Sequence, residues 1–231
     1  MSLPDLEIVA ATGSTNADLR MREDAPHGTA LLALCQTAGK GRLGRIWESP
    51  EGENIALSVL LRPDLPLARV PMLCLSTAVA TARVCGSAYT IKWPNDILAP
   101  DGRKVAGILA ELETREGALD RVIMGVGVNV MSAPPLPTAV SLFEVDGVER
   151  ARIGMAEELV AAIVSGAEQV RTDPEGVLDA WRSRSATLGA QVRVGEVSGI
   201  ATGIDADGAL WVMAQDGQRH RILAGDVEMI G

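Results

Sequence analysis

Residues 29–62 read TALLALCQTAGKGRLGRIWESPEGENIALSVLLR, and this stretch decides between two classes of fold. The apolar runs at 29–36 and 54–62 are rich in strand-forming residues and are bounded by Gly, Pro and Asn, which predicts two strands. Residues 39–44, between them, match G-x-G-x-x-G. In a Rossmann fold that turn leads into a helix, whereas here Pro50 and Gly52 follow and block one. The sequence therefore excludes a dinucleotide-binding turn, and without Gly-Lys-Ser or Gly-Lys-Thr it also excludes a P-loop.

Further along the chain, helical and strand patterns alternate irregularly. Pro71 and Gly86 mark the start and end of one helical pattern, and the pair Asp101-Gly102 indicates a turn between strands. The remaining predicted elements are strands at 89–93, 104–113 and 121–130 and helices at 71–86, 157–171 and 175–184. This mixture predicts an α+β fold, with a mixed or antiparallel sheet and helices packed on one side, rather than a doubly wound parallel fold.

The character of the sequence changes from about Leu188 onward. Short β-rich runs alternate with the turn pairs Asp207-Gly208 and Asp216-Gly217. This pattern predicts a small five-stranded β-barrel. We therefore expect two domains, a larger one over residues 1–186 and a smaller one over residues 187–231.

Composition excludes several classes of function. The formal net charge of −9 over 231 residues opposes non-specific binding to nucleic acid, which requires a basic surface. No uncharged run is long enough to cross a bilayer, and MSLPDLEIVA does not resemble an export signal. We therefore expect a soluble, cytoplasmic protein without a membrane partner. Cys35, Cys74 and Cys85 lack C-x-x-C spacing, which predicts buried free thiols and no zinc site.

Cations are concentrated in the glycine loop, residues 37–53, which joins the first two predicted strands of this acidic chain. Lys40, Arg42 and Arg45 stand among glycines that let the backbone approach a ligand, and their side chains suit phosphate or carboxylate oxygens. On its own, the loop is equally compatible with a solvated β-hairpin.

Three later segments favour a binding site. KWPND at 92–96 gathers polar side chains at the end of a strand, and KVAG at 104–107 begins a strand with a lysine followed by small residues. GVGVN at 125–129 has two glycines within a strand, which indicates that another group approaches the backbone closely.

Together these motifs carry a resemblance to a known family. They are STN at 14–16, QTAGKGRLGRIWESPEGEN at 36–54, KWPNDIL at 92–98, KVAGILAELE at 104–113 and GVGVNV at 125–130. In order and spacing, the chain resembles the biotin protein ligases. The resemblance implies a class II synthetase-like catalytic domain, a C-terminal SH3-like barrel and a possible homodimer. It also implies that biotin and ATP, with Mg²⁺, give biotinyl-5′-adenylate and pyrophosphate, after which biotin passes to a lysine of a biotin carboxyl carrier domain.

The resemblance also implies roles for individual residues. The residues it assigns to biotin are Ser14, Thr15, Asn16, Gln36, Gly39, Lys40, Gly41, Arg42, Lys104 and Gly107. The residues it assigns to ATP or the adenylate are Lys40, Arg42, Arg45, Trp47, Lys92, Asn95, Lys104 and Asn129. The implied catalytic residues are Lys104, Arg42 and Asp96, with Asp96 meeting the acceptor lysine. Lys40 departs from the family pattern, which usually has arginine there, so a point charge replaces a planar fork.

Two other functions compete with that of a biotin protein ligase. A lipoate ligase shares the implied architecture and reaction type, although the loop and KWPND fit biotin ligases better. Some family members also repress transcription through an N-terminal DNA-binding domain, but only 13 residues precede Ser14, so we expect no DNA binding. No carboxylate cluster indicates a metal cage. Magnesium is therefore expected to arrive on the triphosphate, and its protein ligands are left unassigned.

Overall fold

The computed structural model describes residues 6–48 and 50–230, which form two β-sheets and five α-helices. The outer limits of the two expected domains, residues 1 and 231, lie outside the described residues. The strands of the larger sheet are β1 (Leu6–Thr12), β2 (Ala30–Gln36), β3 (Ile55–Leu61), β4 (Thr90–Lys92), β5 (Asp96–Leu98), β6 (Lys104–Arg115) and β7 (Ala118–Val128). Their order is β1-β2-β3-β7-β6-β5-β4. Because β1 runs parallel to β2 and the other neighbours are antiparallel, the sheet is mixed and the predicted α+β class is confirmed.

The helices are α1 (Thr15–Arg20), α2 (Val70–Cys85), α3 (Leu142–Asp146), α4 (Arg152–Thr172) and α5 (Pro174–Arg182). The three longest confirm the predicted helices to within five residues at their ends. The shorter α3 was not predicted. It begins with a capping box in which Ser141 and Glu144 exchange hydrogen bonds, and the S-x-x-E spacing could have predicted its start. Residues 67–85, which include α2, are long and apolar enough to cross a membrane, but most of that segment is buried inside the protein, where α2 packs against α4 and α5.

The two faces of the larger sheet are covered differently. Alternate side chains of a strand point to opposite faces. One face joins the main core with α2, α4 and α5 through residues such as Val59 and Met124. On the other face, Leu60 and Ile123 pack against Leu19 of the short helix α1. The prediction that helices gather on one side is therefore wrong for α1.

The smaller sheet contains β8 (Gln191–Val194), β9 (Val197–Ile204), β10 (Leu210–Ala214), β11 (Arg219–Ile222) and β12 (Glu228–Met229), in the order β11-β10-β9-β8-β12. Gly208 and Gly217 adopt left-handed backbone angles in the turns on either side of β10, as the Asp-Gly pairs predicted. Within the described residues β11 and β12 lie at opposite edges and do not pair. The expected barrel is thus an open antiparallel sheet.

Trp93 joins the two sheets. Its backbone N–H donates to Thr187 Oγ1 at 2.8 Å, and its indole Nε1–H donates to the carbonyl of Gly208 at 3.0 Å. The ring is fully buried in a core that also contains Val192 and Val212 of the smaller sheet. The relative position of the two sheets therefore depends on a continuous apolar core and on these two hydrogen bonds.

Replacing this tryptophan tests that dependence. We expect Trp93→Phe to lower the free energy of unfolding by about 1 to 3 kcal/mol, because the Gly208 carbonyl loses its donor and the core loses part of a ring. Urea denaturation measures the change. Trp211→Phe is the matched control, since Trp211 is half-exposed beneath Arg219 and should cost less. Equal losses in both variants would contradict the assignment of Trp93 to the junction.

Candidate active site

The start of α1 carries a row of buried polar residues over the face of the larger sheet that α1 covers. Ser14, Thr15 and Asn16 are each no more than 5% exposed. The backbone N–H and the hydroxyl of Thr15 both donate to Gln36 Oε1 at the end of β2, at 2.8 and 3.1 Å. Because both donors meet the amide oxygen, the NH₂ group of Gln36 is directed toward the glycine loop, where it approaches Gly39.

Two further residues, Ser58 and Glu111, complete this polar group and are not among the predicted site residues. Ser58 Oγ lies 2.7 Å from Thr15 Oγ1 and 2.5 Å from Asn16 Oδ1, and Asn16 Nδ2 donates to Glu111 Oε2 at 2.7 Å. A readable signal existed for Ser58, which is the one polar residue in the otherwise apolar strand β3. Glu111 gave no comparable signal because it lies where β6 becomes partly exposed.

Two glycines of β7 allow side chains from elsewhere to reach the backbone of the sheet. A Cβ atom on Gly125 would lie 2.6 Å from Asn16 Oδ1, and one on Gly127 would lie 2.2 Å from Cε2 of Trp47. Real Cβ atoms do not approach other atoms this closely. The prediction that another group approaches the GVGVN strand is confirmed.

These residues line a small cavity of about 50 Å³. The predicted site residues on its wall are Ser14, Thr15, Asn16, Gln36, Lys40, Gly41, Arg42, Trp47, Asn95, Lys104 and Gly107. A larger cavity of about 520 Å³ lies beside it. The predicted residues on that wall are Gly41, Arg42, Arg45, Trp47, Asn95, Asp96, Lys104 and Asn129. Gly41, Arg42, Trp47, Asn95 and Lys104 belong to both lists and form the wall between the cavities.

Lys104 is held on this shared wall by a carboxylate. Its Nζ lies 2.6 Å from Asp96 Oδ1, while Lys92 Nζ lies 3.7 Å from the other carboxylate oxygen. The Lys104 ammonium is also 5.6 Å from the centre of the Trp47 ring, which is within cation–π range. The KWPND and KVAG motifs thus meet at one ion-paired cluster.

Arg42 and Arg45 connect the glycine loop to the smaller sheet. Arg42 donates to Asn95 Oδ1 at 2.8 Å and to the carbonyl of Gly225 at 3.2 Å, and its Nη1 lies 3.7 Å from Asp226. Arg45 forms a salt bridge with the same Asp226 carboxylate. Asp226 also lines the larger cavity, and nothing in its local sequence indicated this position.

Asn129 presents an unpaired acceptor beside the larger cavity. Its Nδ2 donates to the carbonyl of Val140 at 3.2 Å, which fixes the amide, while its buried Oδ1 has no hydrogen-bond partner in the described part of the chain. A buried acceptor without a partner is uncommon in proteins and suits a ligand that brings a donor.

Two predicted site residues line neither cavity. Gly39 instead supports Trp47, since its carbonyl accepts from the Trp47 N–H at 2.9 Å and a Cβ there would lie 2.3 Å from the Trp47 carbonyl oxygen. Lys92 contacts the site indirectly, because its ammonium group pairs with Asp96, which lines the larger cavity. Among residues 6–48 and 50–230, no three His, Cys, Asp or Glu side chains lie close enough to hold a metal ion.

The cysteines are unpaired, as predicted. As whole residues, only Cys85 is buried, while Cys35 and Cys74 are partly exposed. The prediction of buried thiols is therefore wrong for Cys35, whereas the sulfur of Cys74 is buried although the residue is partly exposed. Burial of their sulfur atoms raises the pKa of Cys74 and Cys85 to about 12, so both thiols are neutral at pH 7.

Comparison with known proteins agrees with the motifs. Residues 9–129 match the Biotin/lipoate A/B protein ligase family, and residues 187–229 match the Biotin protein ligase C terminal domain. The chain belongs to the biotin/lipoate A/B protein ligase family. It is 37% identical to the biotin–[acetyl-CoA-carboxylase] ligase of Mycobacterium tuberculosis, over 96% of this chain and 88% of that protein. It is 34% identical to the bifunctional ligase/repressor BirA of Bacillus subtilis, over 96% of this chain and 72% of that protein.

Solved structures of the family share the fold. The biotin protein ligase from Aquifex aeolicus in complex with biotin and ATP superposes with a TM-score of 0.80 at 28% identity, covering 98% of each chain. The biotin protein ligase from Leishmania major in complex with biotin gives a TM-score of 0.65 at 25% identity, covering 96% of this chain and 99% of that one.

The contact between Gly127 and Trp47 can be tested by proteolysis of the loop. We expect Gly127→Ala to displace the indole of Trp47 and to release the loop. Trypsin should then cleave after Lys40, Arg42 or Arg45 about 10-fold faster, which corresponds to a loss of about 1.4 kcal/mol of packing energy. The cleavage products are identified by mass spectrometry. Gly203→Ala is the matched control, because a Cβ on that strand glycine meets no atom within 4 Å. Unchanged loop cleavage in Gly127→Ala would show that Trp47 does not hold the loop.

Proposed function

We propose that this chain is a biotin protein ligase, which activates biotin with ATP and transfers it to one lysine of a biotin carboxyl carrier domain. The observation that carries the proposal is the shared wall between two cavities. Arg42 and Lys104 face both cavities, so a carboxylate in one and a triphosphate in the other would meet beside the same two cations. Holding two reactants in contact lowers the entropic part of the barrier.

In the first step, a carboxylate oxygen of biotin attacks the α-phosphorus of ATP. The bond from that phosphorus to the bridging oxygen breaks, and pyrophosphate leaves with the electron pair. Lys104 and Arg42 reduce the repulsion between the two anions and stabilise the charge that develops on the α-phosphate oxygens. The magnesium that accompanies ATP would neutralise further phosphate charge. No three carboxylates of the described residues lie close enough to form a metal site of their own, so the triphosphate would supply most of the oxygen ligands, and Glu48, Asp96 or Asp226 on the larger cavity wall would add one or two.

In the second step, the ε-amine of the carrier lysine attacks the carbonyl carbon of the adenylate, an amide forms and AMP leaves. A free lysine has a pKa of about 10.4 and is mostly protonated at pH 7, so the amine must lose a proton before it attacks. Asp96 is suited to receive the ammonium group. Asp96 Oδ1 contacts Lys104 in this structure. When Lys104 turns toward the substrate oxygens, Oδ1 becomes free to accept a hydrogen bond from the incoming ammonium group.

The polar end of the small cavity supports biotin over lipoate. Its wall carries hydroxyl and amide groups from Ser14, Thr15, Asn16 and Gln36. The ring of biotin is a cyclic urea with N–H donors and a carbonyl acceptor, whereas the dithiolane ring of lipoate offers neither. A site built to bond polar groups rejects a ligand that leaves them unpaired.

The larger cavity supports ATP as the second substrate. The unpaired Oδ1 of Asn129 suits the exocyclic amine of adenine, and Ile46, Pro134 and Leu136 provide apolar surface for a flat base. The small cavity, at about 50 Å³, is well below the roughly 300 to 1,000 Å³ typical of ligand sites. Trp47 and the glycine loop must therefore move before biotin enters.

The proposal includes a cytoplasmic location, a carrier domain as protein partner, and a catalytic domain at 1–186 followed by a small domain at 187–231. A homodimer and the absence of DNA and membrane partners stay predictions from the sequence.

Exchange of labelled pyrophosphate into ATP tests the proposed function. Exchange should depend on biotin and on magnesium, and lipoate should not replace biotin. Exchange with lipoate but not with biotin would overturn the proposal in favour of a lipoate ligase, and exchange with neither would reject both.

A substitution at Lys104 tests the role of the shared wall. We expect Lys104→Ala to slow biotin-dependent pyrophosphate exchange about 10² to 10³-fold, because a preorganised cation no longer faces the developing charge. Arg103→Ala is the matched control, since its side chain pairs with Asp101 and lines neither cavity. Similar rates for the two variants would exclude Lys104 from the first step.

A substitution at Asp96 separates the two steps. We expect Asp96→Asn to slow single-turnover transfer to a carrier domain more than it slows pyrophosphate exchange, because the amide still accepts from Lys104 but carries no charge to attract an ammonium group. Asp101→Asn, in an exposed turn, controls for the loss of one carboxylate. Equal losses in both assays would contradict a separate role for Asp96 in transfer.

A further inference from the structure

Glu111 lies behind the polar end of the small cavity without lining it. Its carboxylate accepts from Asn16 Nδ2 at 2.7 Å, and its side chain is only 24% exposed. The nearest cation, Arg20, is 4.0 Å away and is itself bonded to Glu113 at 2.8 Å. The main hydrogen-bond partner of this half-buried carboxylate is therefore the amide of Asn16.

This contact permits one orientation of the Asn16 side chain. An ionised carboxylate can only accept hydrogen bonds, so the NH₂ group of the amide must face Glu111. Rotating the amide by half a turn would bring two oxygens together. The amide oxygen accordingly faces Ser58 Oγ at 2.5 Å, and it is the Asn16 atom nearest to a Cβ placed on Gly125, which lines the small cavity.

We propose that Glu111 is a positioning residue for substrate recognition: it holds the Asn16 oxygen toward the small cavity as an acceptor for an N–H group on the substrate ring. This inference rests on the proposed function and deepens it. A cyclic urea supplies the required N–H donor, and a sulfur ring does not. Glu111 thus contributes to the choice of substrate although it does not touch the cavity.

Steady-state pyrophosphate exchange tests the proposal through the KM for biotin. In Glu111→Ala the amide of Asn16 is free to turn, and we expect the KM for biotin to rise about 10-fold, as for a lost charge-assisted hydrogen bond. The kcat at saturating biotin and the KM for ATP should stay within about twofold. Glu111→Gln should restore the KM for biotin to within about threefold, because its amide oxygen can accept from Asn16.

Two further variants separate orientation from general loss of charge. Arg20→Gln removes the cation nearest to Glu111 but leaves the bond to Asn16, so the KM for biotin should change less than twofold. The double variant Asn16→Ala, Glu111→Ala should bind biotin no more weakly than Asn16→Ala alone, because Glu111 acts through Asn16.

An unchanged KM for biotin in Glu111→Ala, or additive losses in the double variant, would overturn the proposal. Equal increases in the KM for biotin and for ATP would also overturn it, since they would indicate a general loss of structure. If the unsubstituted protein shows no biotin-dependent exchange, the proposed function itself fails. In that case the melting temperatures of the same single and double variants test the contact independently: non-additive shifts support the fixed amide, and additive shifts reject it.

Discussion

The site depends on the absence of side chains at two positions of β7, Gly125 and Gly127. β7 is the fourth of seven strands in the order of the sheet, so these positions lie over its centre. Because the backbone is bare there, Asn16 from α1 and Trp47 from the glycine loop descend onto the sheet itself. The small cavity is the space left between these two side chains and the strands. With alanine at either position, α1 or the loop would stand farther from the sheet.

The cations of the candidate site are already paired with carboxylates of the protein. With a net charge of −9, the chain has no general positive field to attract them. Instead, Arg42 and Arg45 are paired with Asp226, and Lys104 is paired with Asp96. In the proposed function, substrate oxygens would therefore replace protein carboxylates that already contact these cations. Since such exchange conserves the number of ion pairs, it contributes more to the placement of the two anions than to their net affinity.

Much of the fold was predictable because it follows periodic patterns. The apolar runs of β2 and β3 and the helical spacing of α2 each extend over seven or more residues, which is long enough for a period to emerge. By contrast, β5 has three residues and α1 has six, which is too short for a period to emerge, whereas the three residues of β4 lie inside the strand predicted at 89–93. The motifs of the candidate site were predictable because the residues within each motif are close in sequence. Glu111 and Asp226 were missed because their partners are 95 and 181 residues away, whereas Ser58, 42 residues from Asn16, could have been predicted as the one polar residue of β3.

The position of Asp226 shows why the smaller sheet matters to the loop. Arg42 is bonded to Gly225 and paired with Asp226, which lie in the segment between β11 and β12. The smaller sheet is in turn fixed to the larger one through Trp93, which is bonded to Gly208 and Thr187. A change in the angle between the sheets would therefore move the carboxylate that holds the loop arginines. Trp93 directly precedes the Pro94-Asn95-Asp96 segment, and Asn95 bonds the same arginine. One short segment of the larger sheet thus fixes the smaller sheet on one side and the loop on the other, so the loop can lose its contacts with the smaller sheet and still be held by Asn95.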